Sequence, residues 1–254
     1  MTDGSATVGA ALRAGYSDLA ASVTACWVAL LASVVLTIAA AATLPPALGL
    51  PILVVATVVA QGALFRRAFG RASGLKGLRW GQDEWRLLGA HAMVLGLFLL
   101  IGSILLVVIG AVALGVARVS EPNLDVGSAD AWRHALATAG PAGLVAGLVP
   151  LASLAVLIWL SLRLSFTAPA TVAQSGVRVL SAFPLTKGHV VTLLAAGVVL
   201  AAPVVLARAA LSLTAGDGVV PRAVAAALAY LYLAPAWAGA LAHIYRQSAA
   251  AQDA

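Results

Sequence analysis

The sequence predicts an all-α protein: an integral membrane bundle of six transmembrane helices joined by short cytoplasmic amphipathic connections. Three observations carry this reading. First, Leu19–Phe65, Leu87–Ala117, Ala135–Leu162, Gly188–Ala207 and Ala223–Tyr245 contain no Asp, Glu, Lys or Arg. A helix crosses the hydrocarbon core with about 20 apolar residues, and the first stretch, interrupted by Pro45-Pro46, holds two such helices. Second, 62% of the 254 residues are hydrophobic and only 9% charged, with a mean hydropathy of +1.03. Soluble domains carry about 25% charged residues, and a water-soluble fold has no way to hide this much apolar surface. Third, the basic residues are sorted by loop. With both termini inside, eleven of the fifteen Lys and Arg fall on the inner side, which carries a net +6, while the outer side is neutral. The positive-inside rule therefore places both termini in the cytoplasm.

In chain order, residues 1–18 are polar and small and read as a mobile cytoplasmic segment. The transmembrane domain covers 19–246, and 247–254 form a cytoplasmic tail. The first span runs Leu19–Leu44. It is longer than the 7–15-residue apolar region of a signal peptide, and Pro45-Pro46 leads straight into a second span, so it reads as retained. Pro45-Pro46 and Gly49-Leu50-Pro51 make a tight turn. The second span, Pro51–Phe65, ends in a basic loop, Arg66–Arg86. The third span covers Leu87–Val116 and is followed by a polar outer loop, Arg118–Pro141. The fourth runs Ala142–Phe166 into a second basic loop, Thr167–His189. The fifth is Val190–Leu211. After a Gly216-Asp217-Gly218 turn, Pro221 opens the sixth span in the first helical turn, where its missing N–H costs nothing. The second, fourth and sixth spans share a direction and each ends beside an Arg (Arg66, Arg163, Arg246), a weak internal repeat that reads either as a duplicated hairpin or as the likeness that positive-inside flanks alone generate.

The composition excludes several functions. Cys26 is the single cysteine, so neither an intrachain disulfide nor a thiolate metal cluster is available. The four histidines are scattered at helix ends without metal-ligand spacing. There is no Walker loop, dinucleotide fingerprint or Gly-x-Ser-x-Gly elbow, so the sequence offers no cofactor site and no catalytic residues. A pI near 10.2 would point to nucleic acid in a soluble protein; here the charge faces the membrane surface, and no nucleic-acid partner is expected. Span centres lack the ionisable groups that coupled transporters place at mid-depth. Pro150, Pro203 and Pro235 are positioned to kink the fourth, fifth and sixth spans, and Gly143-x-x-x-Gly147 permits close helix packing or a homodimer.

Several loop features bear on function. Arg163, at the inner end of the fourth span, can snorkel its guanidinium to headgroup phosphates, as an ordinary anchor would. Ser175–Phe183 has the spacing of a short interfacial helix, with Val177, Leu180 and Phe183 on one face, and Thr186 is placed to cap the fifth span. In the first basic loop, Trp80 and Trp85 suit the interfacial aromatic belt. Asp83 and Glu84 complement a helix N-terminus. Glu84 and His91 share a helix face, but nothing nearby completes the three or four ligands of a metal site.

The segment Arg163-x-Ser165-Phe166-x-x-Pro169, followed by Leu185-Thr186-Lys187-Gly188-His189 before a span, resembles the bacterial polytopic domains known as the glycerophosphoryl diester phosphodiesterase membrane domain and related six-helix proteins. Ala182, Phe183 and Pro184 stand where that family has Ser, Trp and a variable residue, and the match covers about 30 residues plus the span layout. The family takes its name from members fused to a soluble phosphodiesterase. That domain is lacking here, so the resemblance implies the fold and no hydrolase activity.

The sequence thus leads to a non-enzymatic integral protein of a bacterial cytoplasmic membrane, a lipid-associated scaffold or complex subunit. Arg66, Arg67, Arg71, Arg163, Arg178 and Lys187 are its candidate contacts to anionic headgroups, each basic residue near the surface adding about 1 kcal/mol. A membrane-protein partner or a second copy is compatible with this reading. The alternative is a small transporter or permease subunit for an apolar or amphipathic solute.

Overall fold

A computed structural model describes residues 7–71, 74–215 and 218–250. The described residues contain nine α-helices: α1 (Val8–Thr43), α2 (Pro46–Ala68), α3 (Gln82–Ser120), α4 (Ala129–Thr138), α5 (Pro141–Arg163), α6 (Thr167–Ala173), α7 (Val190–Ala215), α8 (Val219–Leu228) and α9 (Ala234–Ala250). Two 3-10 turns, Leu180–Ala182 and Pro184–Thr186, precede α7, and a π-helical turn, Ala229–Leu233, joins α8 to α9. Among the described residues there is no β-strand, only the isolated bridge Leu75–Leu78. Six helical segments are long and apolar enough to cross a membrane: α1, most of α2, α3, α5 with α6, α7, and α8 through α9. The all-α, six-span class read from the sequence holds, and the chain is a multi-pass membrane protein.

The chain divides into two compact units. The larger comprises Met1–Met93 with Leu162–Ala254, and the smaller Val94–Ser161. In the smaller unit, Ser128 caps α4 by accepting from the Ala131 amide at 3.2 Å, and the Trp132 indole donates to the Val126 carbonyl at 3.1 Å. The polar loop between the third and fourth spans is therefore partly helical. Gly143 sits so close to the Leu136 carbonyl that a Cβ would overlap it, whereas a Cβ on Gly147 would meet nothing within 4 Å. Gly143 thus makes room for the α4–α5 turn, while Gly147 faces open space.

The larger unit holds the main core, built by Leu30, Val58, Phe65, Leu87, Phe166, Val172, Leu193, Leu200 and Ile244. Helix α1 begins at Val8, capped by Thr7, not at Leu19, and the segment expected to be mobile is helical from there on. The reason is tertiary. Ala11 and Gly15 are buried, and Gly15 lies against the Ala236 carbonyl of α9, with Gly239 against Ala14. Small residues let two backbones approach closely, which is how membrane helices pack when lipid is as apolar as their side chains. Farther along, buried Ser33 donates to the Ala29 carbonyl of its own helix at 2.9 Å and to the Ala56 carbonyl of α2 at 2.8 Å.

Helix α1 breaks from regular geometry at Cys26 (φ −116°, ψ 15°). The turn after α2 seats there. Lys76 and Gly77 both have positive φ, 48° and 85°, and the Leu78 amide bonds the Leu75 carbonyl at 2.9 Å. This is a type I′ turn, whose second central position favours glycine. A Cβ on Gly77 would come within 3.0 Å of the Cys26 Cα and 3.1 Å of the Ala63 Cβ, so glycine is required for contact as well as conformation. The π turn has an equally local cause. Pro235 cannot donate to the carbonyl four residues back, and the helix widens immediately before it.

The second basic loop departs most from expectation. Ser175–Phe183 forms no amphipathic α-helix. The helix lies earlier, at Thr167–Ala173, and its residues Thr167–Val172 are all buried. Thr186 is buried too, donating to the Phe183 carbonyl at 2.9 Å and the Arg163 carbonyl at 3.3 Å instead of capping α7. Of the expected Gly216-Asp217-Gly218 turn, Gly216 and Asp217 lie outside the described residues, and Gly218 caps α8.

Enlarging Gly15 to Leu forces α1 off α9, an overpacking cost of about 1–3 kcal/mol. Gly9→Leu is neutral, because a Cβ there meets nothing within 4 Å. Unfolding in mixed detergent micelles should separate the two variants; equal stabilities would show that the α1–α9 crossing does not support the larger unit.

Candidate functional site

The basic end of the larger unit gathers the start of α1, the end of α2, the turn to α3, the loop around α6 and the end of α9. Its centre is a buried ion pair. Arg66, at the end of α2, meets Glu84, in the first turn of α3, with side chains 2% and 1% exposed. Arg66 Nη2 also donates to the Gly77 carbonyl at 2.8 Å, and Glu84 Oε2 accepts from the Gly81 amide at 2.8 Å, closing the N-terminus of α3. A Cβ on Gly62, one helical turn before Arg66, would occupy the space of the Glu84 carboxylate. A charge is tolerated out of water only when paired and hydrogen-bonded, and here each ion has its partner plus a backbone group.

Arg67 forms a second, shallower network. It holds Asp18 of α1 with a two-pronged contact, 2.6 and 2.9 Å, and reaches Ser22 at 2.7 Å, while Ser22 itself donates to Asp18 at 2.9 Å. Arg71 ties the turn to the other basic loop. It donates to the Ala173 carbonyl at 3.0 Å and the Ser175 hydroxyl at 2.7 Å, and lies 3.3 Å from Asp83. Asp83 is shared with Arg86 at 3.5 Å. On the far side, Gln174 donates to the Tyr245 hydroxyl at 3.1 Å, and Tyr245 sits edge-on to Phe69 and Phe166.

The six cations expected to meet headgroups therefore divide. Arg66 is internal and unavailable to lipid. Arg67 and Arg71 are half-buried and committed to protein partners. The Arg163 guanidinium stacks 4.3 Å above the Phe183 ring, joining the end of α5 to the loop. Arg178 and Lys187 are exposed. Glu84 and His91 do not form a joint site, since Glu84 is taken by Arg66 and His91 Nδ1 lies 2.8 Å from the carbonyl of Leu87. Among the described residues no three His, Cys, Asp or Glu side chains stand together as a metal cluster would need. The sequence reading passed over Gly62, Asp18, Ser22 and Ser175. The available signals were an i, i+4 Asp18–Ser22 pair and a glycine one turn before a basic helix end.

Two clefts open here. One, of about 330 Å³, is lined by Arg66, Arg71, Arg79, Asp83, Glu84 and Arg86 with Gly81, Gln82 and Ser175. The other, of about 380 Å³, lies between α1, α2 and α9 beside Asp18, Arg67 and Arg246. Next to the first, Trp80 and Trp85 pack edge to face at 5.4 Å and stay exposed, as do Leu75 and Leu78. An end that combines cations, indoles and aliphatic side chains has the chemistry of a bilayer interface.

No family model, curated protein or solved structure matches this chain.

Removing one partner of the buried pair leaves an uncompensated ion. Glu84→Ala should cost about 3–5 kcal/mol, whereas replacing both partners, Arg66→Met with Glu84→Met, should recover most of it. Micellar unfolding of the two variants checks this, and a double variant no more stable than the single one would show that the pair contributes more than mutual neutralisation.

Proposed function

We propose that this chain is a non-enzymatic integral protein of a bacterial cytoplasmic membrane, with both termini in the cytoplasm, that acts as a lipid-associated scaffold or as the membrane subunit of a complex. The observation that supports the reading is the exposed ring at the basic end. Lys76, Arg79, Arg178 and Lys187 are exposed there beside Trp80 and Trp85. The apolar parts of α2 and α3 end at the same place. Cations at that depth meet headgroup phosphates, and indoles meet the acyl boundary. The resemblance to the membrane domains found beside glycerophosphodiesterases belongs to the same reading.

Extraction into native nanodiscs followed by mass spectrometry tests it. Anionic phospholipid should be enriched around the chain relative to the bulk membrane, and Arg178→Ala with Lys187→Ala should reduce that enrichment, about fivefold for each charge removed. A lipid shell identical to the bulk would refute the lipid-associated reading, and a stoichiometric bound protein would move the assignment to complex subunit. Orientation has its own check. Ser181→Cys should react with an impermeant thiol reagent only after cell lysis, and Asn123→Cys in intact spheroplasts; native Cys26 is buried and gives no background.

One observation favours the transporter alternative. The π turn carries Tyr230, which accepts from Thr37 at 3.3 Å, and Tyr232, whose hydroxyl lies 3.2 Å from that of Tyr16. Irregular turns of this kind are frequent at functional sites. Solute flux in proteoliposomes that falls on Tyr232→Phe would support it.

A further inference from the structure

The 330 Å³ cleft at the start of α3 differs from the general basic surface. Four guanidiniums line it, from Arg66, Arg71, Arg79 and Arg86, against two carboxylates. One carboxylate, Glu84, is consumed by Arg66. The other, Asp83, is divided between Arg71 and Arg86 at the long distances of 3.3 and 3.5 Å. Arg79 has no hydrogen bond or ion pair with any described residue. The cleft therefore keeps an unbalanced positive charge in a concave space, where low-dielectric walls strengthen its attraction for an anion.

A further observation points to an oxyanion. Ser175 is held at the cleft with φ 54°, a left-handed conformation uncommon outside glycine. Its hydroxyl accepts from Arg71 at 2.7 Å, and no described residue takes the hydroxyl's own proton. The cleft thus offers the Arg79 fork, the Arg86 fork held only at 3.3 and 3.5 Å, the remaining face of Arg71, and a hydroxyl donor. Planar forks of this kind suit the oxygens of a phosphate.

We propose that this cleft is a phosphate-binding site, built to hold the phosphate of a phospholipid headgroup, with Arg79 as its principal ligand and Arg71, Arg86 and Ser175 completing the shell. The site rests on the lipid-associated reading given above and sharpens it from a charged surface to one defined pocket. Its depth fits the source. Leu75, Leu78, Trp80 and Trp85 stand exposed on the same turn, so when these enter the acyl boundary the cleft mouth lies at the level of the phosphates. An Arg side chain beside the pocket can then take a lipid phosphate without the acyl chains leaving the bilayer.

The test uses the full chain in detergent, with phosphatidylglycerol and phosphatidylcholine as probes and native mass spectrometry as readout. Wild type should retain phosphatidylglycerol over phosphatidylcholine. Arg79→Ala should weaken that retention about tenfold, the loss of one charge-assisted hydrogen bond, and Arg79→Lys should restore only part of it. Lys76→Ala, on the neighbouring turn and outside the cleft, should cost less than Arg79→Ala. Melting temperatures should not change, since Arg79 holds no ion pair with any described residue. Competition by inorganic phosphate separates the sources: retention that survives it marks the lipid phosphate as the ligand, and displacement shows that the pocket takes free phosphate equally. Full restoration by Arg79→Lys, together with equal losses at Lys76 and Arg79, would overturn the pocket and leave a diffuse lipid-binding surface. Absence of any phosphatidylglycerol preference in wild type would overturn both.

Discussion

The basic end of the larger unit depends on hiding one pair of charges. Arg66 and Glu84 belong to consecutive spans, and their burial fixes how the second span ends and the third begins. Gly62 supplies the space, the Gly77 carbonyl and Gly81 amide supply the remaining hydrogen bonds, and the type I′ turn delivers both groups to the right place. The turn in turn needs the irregular backbone at Cys26, against which Gly77 rests. A buried pair of this kind is a poor source of net stability but a strong constraint on register, because misplacing either partner strands the other.

Around this pair, basic residues that look alike in sequence perform different tasks. Arg66 is internal, Arg67 clamps α1 through Asp18, and Arg71 bridges to the loop after α6. Arg79, Arg178 and Lys187 keep their charges at the surface. Charge placement that orients the chain in the membrane also supplies the polar glue between helix ends, and only the remainder is available to lipids. The second basic loop follows the same economy. Thr171 and Thr186 are buried and spend their hydroxyls on backbone, Thr171 accepting from the Arg178 amide at 3.2 Å.

The fold class was legible because it follows from one-dimensional quantities, charge spacing and apolar length, which the bilayer itself imposes. The six spans emerge from these alone. The ends of the helices were less legible. Residues 8–18 look like a polar tail until Ala14 and Gly15 find α9, and Thr167–Ala173 reads as loop although its residues are buried against the core. In both cases the signal is small residues whose partners lie far away in sequence. The site was half-readable. A basic loop with two tryptophans announces an interface, but no local pattern tells which arginine has a carboxylate waiting on the next helix. Glu84 reads equally well as a helix-end charge, and only the proximity of Gly62 distinguishes the two.

The seam between α1 and α9 joins the first and the last of the described helices. While the ribosome is still working, α1 enters the bilayer with its small-residue face uncovered, and nearly the whole polypeptide must follow before Ala236 and Gly239 arrive to cover it. Closure of the larger unit therefore waits until α9 has been made. A nascent chain that stops short of α9 lacks most of its sixth span and leaves the Ala14–Gly15 face of α1 open.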